Sequence, residues 1–77
     1  MSALADVKAF LLRHGAAPAV DEAAAECAAR PDADRHLALV QARERLTFEI
    51  YGFRPTIANG LAAGFVALVR ERLARGA

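Results

Sequence analysis

Seventy-seven residues hold one domain at most, because a chain this short buries only about 60–65% of the surface it exposes when unfolded and has no material for a second core. A hydrophobic share of 56% excludes a disordered chain, and a net charge of +1 excludes bulk attraction to nucleic acid as the basis of function. With one cysteine, Cys27, and two histidines, His14 and His36, the chain has neither a disulfide framework nor the paired ligands of a closed metal site, so a partner subunit is the remaining support for a marginal core.

The first helix is expected to start after Ser2, whose hydroxyl can accept a hydrogen bond from a free first-turn amide, and to end at Gly15, a residue that tolerates a left-handed cap. Leu4, Val7, Phe10 and Leu11 share one face, with Asp6, Lys8 and Arg13 pointing elsewhere. The alanine-rich stretch from Asp21 to Arg30 forms a second, short helix, capped by Asp21 and stopped by Pro31. Its best stripe, Val20, Ala24, Cys27 and Ala28, buries little area per turn, so its neighbours must hold it in place.

A third helix opens with Asp32 as cap and Asp34 near the positive end of the helix dipole, and runs to Tyr51. Gly52 supplies a left-handed ending, Phe53 packs back on Phe48 in a Schellman motif, and Arg54-Pro55 prevents resumption. The competing reading of residues 46–51 is a strand, because Thr47, Phe48, Ile50 and Tyr51 favour β structure. A lone strand has no partner here, and helix is preferred. The fourth helix is expected from Thr56, as cap, to Arg75, with Gly76 at its end and a Glu71–Arg75 pair four apart in a solvated final turn.

On a 100° wheel the third helix has two separate apolar stripes, one of Ala33, Leu37, Val40, Phe48 and Tyr51, the other of Leu39, Ala42, Leu46 and Ile50. One stripe serves the core and the other needs cover. The fourth helix is doubled too: Ile57, Leu61, Phe65, Leu68 and Val69 form a bulky face, while Gly60, Ala63, Gly64 and Ala67 form a smooth ridge opposite. The G-x-x-x-G spacing within that ridge reads as close packing in a soluble core.

Catalysis lacks a convergent set of groups. Asp32 can orient His36 four residues on, yet a helix-start carboxylate beside a solvated histidine is the ordinary reading. His14 sits where the dipole at the end of the first helix favours its charge, and Cys27 reads as a small buried hydrophobe beside Glu26. G-L-A-A-G is followed by Phe65 and Val66, not by the lysine and hydroxyl of a phosphate loop. A helix-turn-helix can be drawn across Pro31, with Arg35, Arg43 and Arg45 toward phosphates, but Asp32 and Asp34 stand at the end that approaches the DNA backbone.

The expected architecture is therefore all-α: one domain over residues 1–77, a compact bundle of three to four short helices that associates into an oligomer. Its expected role is that of a non-catalytic protein–protein interaction module, a small adaptor, chaperone or regulatory subunit acting as a homodimer or in a hetero-complex. The alternative is a small helix-turn-helix DNA-binding regulator. No cofactor or metal is expected. The interface candidates are Leu39, Leu46, Ile50, Tyr51, Arg54, Phe65 and Val69, aromatic and arginine residues being favoured anchors. The N-terminus MSALADVKAF has an acidic residue and no basic run ahead of an apolar one, from which a cytoplasmic location is expected. The longest uncharged run, Pro55 to Val69, is shorter than the roughly 18–20 residues of a membrane span.

Overall fold

A computed structural model describes residues 3–76 as four helices: α1 (Ala3–Arg13), α2 (Ala17–Ala28), α3 (Ala33–Ile50) and α4 (Pro55–Ala74). The Ser2 cap lies outside the described residues, which contain no strand. Residues 46–50 are helical and Tyr51 is the C-cap of α3. The Schellman ending is complete. Gly52 takes φ 102° and donates its amide to Glu49 O at 3.0 Å, and Phe53 donates to Phe48 O at 3.1 Å. The two rings meet edge to face with centroids 6.0 Å apart. Gly15, at φ 85°, ends α1 in the same way, with Ala16 donating to Leu11 O.

Two helix starts differ from the expected ones, and a third keeps its position without its capping bond. α2 begins at Ala17, because Pro18 in the first turn lacks only an amide that the helix leaves unpaired anyway. Asp21 is thus interior to α2 and accepts a hydrogen bond from Arg72 Nε at 3.0 Å instead of capping. Asp32 holds the N-cap position of α3 but its side chain makes no capping bond. α4 begins at Pro55 rather than at a Thr56 cap: the proline forces Arg54 into an extended conformation (φ −62°, ψ 150°), and its own fixed φ starts the helix. At the other end of α2 the helix stops at Ala28, with Ala29 as cap, two residues before Arg30.

α4 is the axis of the fold, with α1, α2 and α3 all packed on it. Buried residues Ala58, Leu61, Ala62, Gly64, Phe65, Val66, Leu68 and Val69 include neighbours in sequence, which at 100° per residue cannot share one face. From Leu61 to Val69 no residue of the helix is exposed, whereas Asn59 and Gly60 before them are. Leu11, Val20, Leu37 and Val40 come to it from the three surrounding helices.

Three successive residues of α4 reach three different helices: Arg70 pairs with Asp34 of α3 (3.7 Å), Glu71 with Lys8 of α1, and Arg72 with Asp21 of α2. These replace the expected Glu71–Arg75 pair. Being exposed, each contributes little to stability, but together they orient the surrounding helices on α4. On α2 the buried stripe is Val20, Ala23, Ala24 and Cys27, and Ala28 is exposed. On α1 Leu11 is buried, Val7 and Phe10 are packed against the core, and Leu4 is exposed.

Candidate interaction surface

The two stripes of α3 part as the wheel predicts. Leu37 and Val40 are buried, and Phe48 packs against the core. On the opposite stripe Leu39 is 62% exposed, Leu46 53% and Ile50 82%, with Ala42 exposed between them. Within the described residues nothing covers this face. Tyr51, drawn on the core stripe, is 73% exposed, because the helix ends there and the chain turns away at Gly52. Arg54 is exposed as well.

Phe65 and Val69 are a correction. Considered as interface candidates, they are 3% and 0% exposed and sit in the hydrophobic core. The wheel placed them on an apolar face but could not reveal that three helices surround α4. Ile57, at the uncovered N-terminal end of the same face, is the residue left open, and Phe53 joins it. The signal for both was available in principle: each lies within a few residues of the Pro55 joint, where the bundle has an edge.

α1 and α3 each pack on α4 rather than on one another, which leaves a cleft between them. It holds about 460 Å³ and is lined by Phe10, Leu11, His14, Glu44, Phe48 and Tyr51 among others. A shallower hollow of about 310 Å³ continues past Phe10 and Phe53 to Ile57 and Leu61. His14 lies against Phe10 with ring centroids 4.4 Å apart. Burial raises the Glu44 carboxyl above the usual carboxylate range, and Arg43 beside it pulls the other way. The cleft is mainly apolar, with His14, Glu44, Thr47 and Tyr51 as its polar side chains.

The remaining reactive groups lie in the α2–α3 seam. His36 is buried rather than solvated, and its partner is not Asp32: Nε2 stands 3.3 Å from Glu26 Oε2, while Nδ1 has no hydrogen-bond partner. The same carboxylate lies 3.9 Å from Arg43 Nη2. Cys27 is fully buried, and its thiol is held above its ordinary range first by burial and then by the charge of Glu26, with Arg30, Arg43 and Arg70 opposing. That is the reverse of an activated thiolate. A thiol reagent at pH 8 is expected to modify Cys27 no faster than the chain unfolds. Modification in seconds without unfolding would place the thiol at the surface.

Of the arginines considered for DNA contact, Arg43 faces Glu26, while Asp34, almost fully exposed at the N-terminal end of α3, pairs with Arg70. No group of three or more metal-ligating side chains converges among the described residues, and no described helix is long and apolar enough to cross a membrane. Among the described residues, fold and surface define an all-helical bundle with an axial fourth helix and an uncovered apolar stripe on α3. No protein-family model, curated protein or solved structure matches the chain.

Proposed function

We propose that this protein is a non-catalytic protein–protein interaction module whose working surface is the open stripe of α3, Leu39, Leu46 and Ile50, extended at the joint by Tyr51 and Arg54. The observation that carries this reading is that the stripe stays exposed after the chain has packed all its helices. Single exposed apolar residues are ordinary, but three on one helix face, joined by an aromatic and an arginine, form the kind of patch that marks an interface. Leu46→Glu is expected to leave the fold intact, with stability changed by no more than about 0.5 kcal/mol, as for other surface substitutions.

The deciding experiment places a photo-crosslinking residue at position 46 and, as control, at the exposed position 28 on α2, in the cells that make the protein. Discrete protein adducts from position 46 and none from 28 support the reading. Equal yields from both positions, or a Leu46→Glu variant that fails to fold, overturn it.

A further inference from the structure

The face that α3 leaves open is self-complementary. Arg35 and Glu49 stand seven residues to either side of Ala42, and at 100° per residue all three lie on one flank of the Leu39–Leu46–Ile50 stripe. The ion pairs of the described residues engage Asp34, His36 and Arg43 on this helix but neither Arg35 nor Glu49. Ala42 also lies at the midpoint of α3, Ala33–Ile50.

We infer that the protein forms a two-fold, antiparallel homodimer through α3, with the symmetry axis at Ala42; this rests on the interaction-module reading and names a second copy as the occupant of that surface. Crossing at Ala42 lets the two α3 helices overlap along nearly their whole length, and the small side chain permits close approach of the backbones. In an antiparallel two-fold pair each flank faces the same flank of the other helix. Arg35 therefore meets the second copy's Glu49, and symmetry repeats the pair at the other end. Leu46 enters the space beside the second copy's Ala38 and Leu39. On the other flank Arg43 approaches its own symmetry copy, and the repulsion is offset within each chain by Glu26 at 3.9 Å. A parallel pair in register would instead turn this flank toward the opposite flank of the second copy and leave Arg35 and Glu49 at opposite ends of the seam, so only the antiparallel arrangement joins these two charges.

The test measures mass by light scattering across a range of concentrations, together with cysteine cross-linking. A concentration-dependent dimer is expected. Arg35→Glu or Glu49→Arg alone should weaken it about tenfold, because each puts two like-charged pairs into the seam. The Arg35→Glu/Glu49→Arg double variant should return to within about threefold of the original affinity. Ala42→Cys, at the axis, should oxidise to a disulfide-linked dimer. Ala38→Cys should not, because an antiparallel pair sets its two copies apart along the helices. A dimer in which both cysteines cross-link equally, or in which the double variant is no tighter than the singles, overturns the arrangement. A monomer at every concentration overturns the homodimer; if position 46 then still gives adducts with a different protein, the interaction-module reading stands without it.

Discussion

Phe65→Ala is expected to remove about 3–5 kcal/mol of stability, the usual cost of truncating a buried aromatic and leaving a cavity. A domain of 77 residues has roughly 4–12 kcal/mol in total, so the variant should be largely unfolded at modest temperature. The size of the effect comes from position as much as from side chain. Phe65 belongs to the core cluster on α4, the helix on which all three others pack, and its loss opens space that no single neighbour can fill. Circular dichroism melts compared with those of Leu46→Glu check the assignment of the two apolar faces. A Phe65→Ala variant that melted within a few degrees of the parent would mean that the ring is not core, and the packing order described above would fail.

The second large effect separates two glycines that the sequence makes equivalent. A Cβ added at Gly64 overlaps Val7 Cγ1 and comes within 3.3 Å of Val7 Cβ and 3.4 Å of Leu11 Cδ1, so the Val7 side chain must turn or α1 must move to admit it. Gly64→Val is expected to destabilise by about 1–3 kcal/mol through overpacking, a drop in Tm of about 4–8 °C for each kcal/mol. Gly60 meets nothing within 4 Å. Gly60→Ala should stabilise by about 0.5–1 kcal/mol through helix propensity and a less flexible unfolded chain. Thermal melts of the two variants should therefore shift in opposite directions, and the Val7→Ala/Gly64→Ala pair should melt above a Gly64→Ala single variant. Shifts of the same sign would show that α1 does not lie on Gly64.

Both effects depend on α4 being axial; its bulky face and smooth ridge imply a helix surrounded up to Val69, but not which helices surround it. Its bulky face and its smooth ridge are each legible on a helical wheel. A wheel shows which residues are apolar, however, and not how many helices arrive to cover them. Ile57 and Phe65 occupy the same drawn face and end with opposite fates, one at the open joint and one in the core. For the same reason Phe65 and Val69 looked available to a partner.

The local order of the chain is legible in its residues. Four helices, the breaks at Gly15, Pro31 and Gly52-Pro55, the Schellman turn joining Phe48 to Phe53 and the division of α3 into two apolar stripes all follow from effects within a few residues: left-handed glycine, the fixed φ of proline and the 3.6-residue repeat. Even there the helix starts slipped, because Pro18 and Pro55 open their helices ahead of the polar residues taken as caps. Packing settles what the residues leave open: that all three other helices lie on α4, that His36 turns to Glu26 on another helix rather than to Asp32 on its own, that Lys8 and not Arg75 holds Glu71, and which stripe of α3 faces outward. Each of these is a choice among partners distant in sequence. Such choices depend on how several amphipathic faces are shared out at once, and no single segment carries that information.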